Sequence, residues 1–317
     1  MKSVFLKLFI IFALSLLFAT ASLADPEAGR LLSTGHVSEA LTALTSHDDA
    51  QSLNLTSRAY FAMERWNEAV MYGERAVNLE PQNATYHLWL GREYGRKAGD
   101  SNPLGAVGLA KKAKSEFERA VQLDPANVPA HVDLAEYYTE APSFMGGGLD
   151  KARAQAGAVQ SLNPAMAHLI LARVAAKTRH YTDAESEYKA AIQQSANPAD
   201  MWLQLAAFYR QRGQFDDMQN AVSAAMAQPH ILAESYFDAG NELFLGNRDF
   251  SAAIGYLQKY LSSDDLVESA PAFRAHYLIG QLQEKMGHNG AAATEYQASV
   301  AMASEFAPAK KALSRIQ

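Results

Sequence analysis

An all-α solenoid of stacked helix-turn-helix units is the fold class that this sequence predicts. Three features predict it: a recurring segment that closes on Leu-x-Pro, apolar residues spaced by three and four, and a composition able to build a core. Hydrophobic residues make up 49% of the 317 and charged residues 20%, unlike the apolar-poor, highly charged profile of disordered chains.

The recurring segment is clearest at residues 66–81, 110–125 and 149–164. Each opens on a large apolar residue or alanine (Trp66, Ala110, Leu149) and places alanine three positions later (Ala69, Ala113, Ala152). Each closes on Leu79-Glu80-Pro81, Leu123-Asp124-Pro125 or Leu162-Asn163-Pro164. The spacing describes one face of a helix, and the proline, unable to continue it, is expected to mark the end. A partner helix precedes each segment. Leu90-Gly91 and Tyr94 share a face, and Trp202, Leu205-Ala206 and Tyr209 repeat the pattern. Small residues at Gly91, Ala135, Ala172, Ala206 and Gly280 alternate with bulky ones, which lets two helices interlock at short range.

These residues resemble the tetratricopeptide repeat, a ~34-residue helix-turn-helix unit. The resemblance implies a right-handed superhelix of about eight units over 25–304, closed by a capping helix at 305–317. The expected units are 25–49 (short of most of its first helix), 50–83, 84–127, 128–164, 165–198, 199–232, 233–269 and 270–304. The seventh has one extra residue between its helices. Two inserts interrupt the array as Gly-rich inter-helix loops, near 99–108 and at 141–148, the second containing Pro142, Gly146, Gly147 and Gly148. Both fall at turns inside neighbouring units, so they should be adjacent in space. The second resembles Ala-Pro-x-x-x-Gly-Gly-Gly inserts of exported bacterial repeat proteins, which supports the architecture and supplies no activity.

The N-terminus carries Lys2 and Lys7, then an apolar run from Leu8 to Phe18 broken only by Ser15, then small residues through Ala24. That is the secretory signal pattern, and the run falls short of the ~20 residues a membrane span needs. Cleavage is expected after Ala24, with Ala21 second best and an uncleaved anchor as the competing reading. Asp25 stands where a lipid anchor would need cysteine. Losing the two lysines moves the net charge from −6 to −8. The expected location is periplasmic or secreted, with no membrane span in the mature chain.

Acidity of this degree argues against nucleic acid as a partner. The absence of cysteine removes disulfides and thiol chemistry. The triple glycine before Leu149 lacks the Gly-x4-Gly-Lys pattern of a phosphate loop and reads as a tight turn. His87, His131, His168 and His276 occupy one recurring slot that Trp202 and Tyr236 fill elsewhere. A slot shared with aromatics is a packing position. Helices pack ~8–10 Å apart, too far for successive slots to share a zinc ion that needs nitrogen within ~2.1 Å. The acid pairs at 48–49, 216–217 and 264–265 suit turns and helix starts. No metal, no cofactor and no catalytic residue is expected.

First helices line the concave face of such an array. The inward slots read Asn54, Arg58, Phe61, Trp89, Arg92 and Arg96, then Asp133 and Glu136, then Arg173 and Lys177. Arginines beside Trp89 and Phe61 would suit a protein or peptide segment with acidic groups and an apolar anchor; a plain solvated face is the competing reading. The expected function is a scaffold or adaptor binding a peptide segment in this groove. The alternatives are a structural subunit of a cell-envelope assembly and an enzyme with its site in the inserts.

Overall fold

The computed structural model describes residues 24–316, so the signal-like segment lies outside the described residues. These form seventeen α-helices and one short 3-10 turn, with no strand among them. Eight antiparallel hairpins follow in chain order: α1 (Ala24–Ser33) with α2 (Val37–Leu44), α3 (Ala50–Ala62) with α4 (Trp66–Leu79), α5 (Ala84–Gly99) with α6 (Pro103–Leu123), and α7 (Val128–Glu140) with α8 (Leu149–Val159). Then come α9 (Pro164–Lys177) with α10 (Tyr181–Gln194), α11 (Pro198–Gln211) with α12 (Phe215–Met226), α13 (Ala233–Leu245) with α14 (Phe250–Leu261), and α15 (Ala272–Lys285) with α16 (Asn289–Met302). A single helix, α17 (Ala307–Ile316), follows. The all-α repeat solenoid is what the sequence predicts.

Local sequence explains the boundaries. Asn83, Asn127 and Asn163 cap α5, α7 and α9 by accepting from backbone N–H groups, and Asp49 does so for α3. The hairpins then bury alanine and large apolar side chains against one another. At Gly91 the approach is so close that a methyl group would lie 2.6 Å from the Phe117 ring, so only glycine lets α5 meet α6 there. The histidine slot is both packed and polar. Each ring ties a first helix to its partner: His87 to Glu116, His131 to Gln155, His168 to Glu187 and His276 to Glu295, at 2.5–2.7 Å.

Three expectations need correction. Pro164 does not end a helix: α8 stops at Val159, and Pro164 is the first residue of α9. Asn163 supplies the cap there, and proline at the first helical position loses no hydrogen bond. The insert near 99–108 is not a loop. Only residues 100–102 lie between α5 and α6, and the rest lengthens both helices, because Asn102 caps Gly105 N–H and Pro103 starts a helix-competent apolar run. The first unit keeps more of its first helix than expected, ten residues in α1. The second insert is a loop, with a 3-10 turn at Ser143–Met145 that rests on α6.

The array does not stay open. One superhelical turn brings its first hairpins against its last. Leu31, Leu32, Val37 and Met63 share a buried cluster with Phe273, Phe306 and Ala309, and Tyr277 packs beside them. Phe273 and Phe306 meet edge to face at 5.0 Å. Polar contacts line the same seam: Ser38 Oγ lies 3.0 Å from Ser304 Oγ and accepts from Ser304 N–H. Arg274 donates twice to the Ala62 carbonyl, at 2.8 and 3.1 Å, and Arg65 pairs with Glu305. Gly35, at φ +79°, passes where a methyl group would meet Ala272 N at 2.6 Å. α17 covers α16 through Ala312 and Leu313, so the end of the array is covered by both the cap and the first hairpins.

Candidate functional site

The inward-facing candidates separate into two groups. In the first, α3 and α5 bring Arg58, Phe61, Trp89 and Arg92 together. The Arg58 and Arg92 guanidinium carbons sit 4.9 and 5.0 Å from the Trp89 ring centre, and Phe61 meets the same ring edge-on at 5.7 Å. Asn54 does not line this surface; it is 3% exposed, and its Nδ2 has no partner. Arg96 is exposed at the end of α5 and makes no ion pair among the described residues.

This group is not an empty groove. Glu268, from the segment between α14 and α15, takes the Arg58 fork with both carboxylate oxygens, and Arg58 Nε donates to it at 2.8 Å. Arg92 donates to Asp133 at 2.5 Å. The two arginines that stack on Trp89 are therefore already neutralised within the chain.

The second group surrounds a cavity of about 610 Å³ between α7, α9 and α11. Arg173, Lys177, Arg179 and Arg212 line it, with Tyr181, Phe208, Gln204 and Gln211. Arg173 donates to Glu136 and Gln204 at 3.2 and 3.1 Å, and Lys177 to Glu140 at 2.6 Å. Arg179 and Arg212 have no ion pair among the described residues, and Arg212 lies over the Tyr181 ring at 4.1 Å. Four cations against two carboxylates leave this cavity net positive. Sequence reasoning finds Arg173 and Lys177 and misses Arg179 and Arg212. Both lie in turns, where helical phase says nothing about direction.

Two carboxyls, Glu93 buried and Asp238 half-buried, also escape a sequence reading. Glu93 on α5 is fully buried against Gly73 of α4, and neither oxygen has a hydrogen-bond partner. Burial pushes it up to about 8, against the pull of Ser57 and Arg58. Asp238 on α13 is pushed up to about 7 by burial and by the neighbouring Glu234, Asp200 and Glu242. Their signal in the sequence is an acid at a first-helix slot, which looks the same whether the slot faces solvent or core. No cluster of three or more His, Asp or Glu able to hold a metal ion occurs among the described residues. The Pro142–Gly148 loop is tightly built: Tyr137 Oη donates to the Met145 carbonyl, Gly148 N–H to Tyr138, and Lys151 to Gly146.

A family model, the tetratricopeptide repeat, matches residues 138–199, 169–217 and 242–310. No curated protein matches the chain. Similar solved structures include a thermophilic tetratricopeptide repeat protein of Thermus thermophilus, at 19% identity and TM-score 0.49 over 58% of this chain and 98% of that one. Another is a tetratricopeptide repeat protein of Parabacteroides merdae, at 16% and 0.41 over 84% and 98%. A third is the APC/C hetero-tetramer Cut9-Hcn1, at 16% and 0.41 over 94% of this chain and 56% of that one. The matched segments, 138–217 and 242–310, are tetratricopeptide repeats, and the same hairpin-on-hairpin packing runs through the other described helices, the architecture of a protein–protein interaction scaffold.

Proposed function

We propose that the chain is an exported periplasmic adaptor that holds a segment of another protein in its concavity, at the cavity between α7, α9 and α11. One observation carries the choice of place: Glu268 occupies Arg58, whereas Arg179 and Arg212 stand without an ion pair beside Tyr181 and Phe208. The fitting segment is acidic with an apolar or aromatic anchor. Arginine donates two parallel hydrogen bonds to a carboxylate, and the half-buried Tyr181 ring with the Arg212 guanidinium over it offers an anchor a flat surface. Export is supported by the lysine-apolar-small pattern that precedes Asp25.

A fluorescence-anisotropy panel of acidic peptides with and without an aromatic residue tests the site. Binding should fall as salt rises and drop at least tenfold in Arg179→Glu with Arg212→Glu. Arg58→Glu should matter less. A folded double variant that binds the same peptides as the parent does would overturn the assignment to this cavity.

A further inference from the structure

We propose that the tip built by the two inserts docks on an anionic lipid surface. This goes beyond segment binding and uses a different face of the molecule. Among the described residues, the two most exposed large apolar side chains both lie on the inserts: Leu104 is 89% exposed and Phe144 74%. Leu104 is the second residue of α6, whose first eight residues, 103–110, carry no charge and no hydrogen-bonding side chain. Lys111, Lys112 and Lys114 follow at once. Helical spacing places Leu104, Val107, Lys111 and Lys114 on one stripe. The Phe144 turn joins this stripe at its basic end, since a methyl group on Gly146 would lie 3.0 Å from Lys114 Nζ. Phe144 does not dangle, because Tyr137 and Lys151 hold the carbonyls that follow it.

Charge selects the occupant. Between Arg96 and Lys114 there are Arg96, Lys97, Lys111, Lys112 and Lys114 against Asp100 alone, in a chain of net charge −6. Lys112 and Lys114 pair with Glu74 and Glu118, but Arg96, Lys97 and Lys111 make no ion pair among the described residues. The edge bearing the tip is also the basic edge of the array. Turns inside the hairpins contain Arg65, Arg179, Arg212 and Arg248 as well as acids. Turns between hairpins carry acids from Asp48 and Asp49 through Glu80, Asp124 and Asp264 to Glu305, and no lysine or arginine. An anionic surface would draw the first edge in and push the second away.

The apolar content fits lipid better than protein. A stable protein interface takes about 20–30 residues a side, packed to interior density. Here two large side chains project from a backbone with glycine at 105 and 108. That suffices for shallow insertion among headgroups, where apolar burial and lysine attraction add.

Vesicle sedimentation tests the proposal. The chain from Asp25 onward is used; it holds nearly all of the described fold and leaves out the N-terminal apolar run, which could enter lipid by itself. It should sediment with phosphatidylcholine vesicles containing phosphatidylglycerol, weakly or not with phosphatidylcholine alone, and less as salt rises. Lys97→Glu with Lys111→Glu should lower partition by roughly fivefold per lysine or more. Leu104→Ser with Phe144→Ser should lower it about tenfold or more, with an unchanged circular dichroism spectrum. Lys310→Glu, on the cap helix, should change it little. No sedimentation with the anionic vesicles overturns the proposal, and so does binding that survives both double variants. Failure to bind vesicles combined with a self-association abolished by Leu104→Ser would assign the tip to a protein contact instead.

Discussion

Closure of the array can be tested with a covalent bond. Ser38 and Ser304 face each other across the seam with hydroxyl oxygens 3.0 Å apart, 266 positions apart in the chain. The protein has no cysteine, so Ser38→Cys with Ser304→Cys introduces a lone thiol pair. The bond needs sulfurs at ~2.05 Å, which a modest shift from this separation provides. In the chain-entropy treatment, bridging a loop of this length restricts the unfolded chain by roughly 5 kcal/mol, less any strain. At about 2–4 °C per kcal/mol for a chain of this size class, melting should rise on the order of 10 °C. Oxidation should yield a monomer that migrates faster on a non-reducing gel, with a yield independent of protein concentration. Dithiothreitol should remove both the mobility shift and the added stability. An open solenoid would hold the two positions far apart. Persistently free thiols, or disulfide-linked dimers alone, would refute closure.

The Arg58–Glu268 pair is half-buried, with 24% and 16% of each side chain exposed, so reversing either charge should cost about 1–3 kcal/mol, and exchanging both should recover much of it; a double exchange as unstable as the summed singles would remove the pair from the seam. Glu93 predicts a pH dependence. Its carboxyl, pushed up to about 8, stays protonated in the folded chain where the unfolded one, near 4.5, is ionised. The folded state therefore holds more protons across that window and should lose stability as pH rises through it. Glu93→Gln should flatten this slope, and an unchanged pH profile of melting would show that Glu93 does not titrate there. Gly91→Ala should cost about 1–3 kcal/mol, since the new methyl meets Phe117 at 2.6 Å; a melting temperature equal to the parent's would mean that α5 and α6 are less tightly apposed. Export can be checked by N-terminal sequencing of envelope-fraction protein, where an intact Met1 would contradict cleavage before Asp25.

Some of this protein is written in local spacing. The helices and the small-residue contacts at Gly91 and Gly280 follow from a period of 3.6 residues and its breakers, because a helix selects its buried face within a few neighbouring residues. The same locality limits what can be read. Pro164 reads as a stop because Leu-x-Pro recurs, while its role as a start depends on where Asn163 caps. Phase also identifies Arg58, Trp89, Arg92, Arg173 and Lys177 as inward residues. It does not reveal that Glu268, 210 positions away, covers the first of them, or that Glu93 points into the core. Small rotations between successive hairpins add up over the array until Gly35 passes Ala272 and Ser38 reaches Ser304. That sum is a property of the whole superhelix, carried by no single repeat, so the sequence alone determined the hairpins while only the tertiary structure decided that they close on themselves and which part of the concavity stays open.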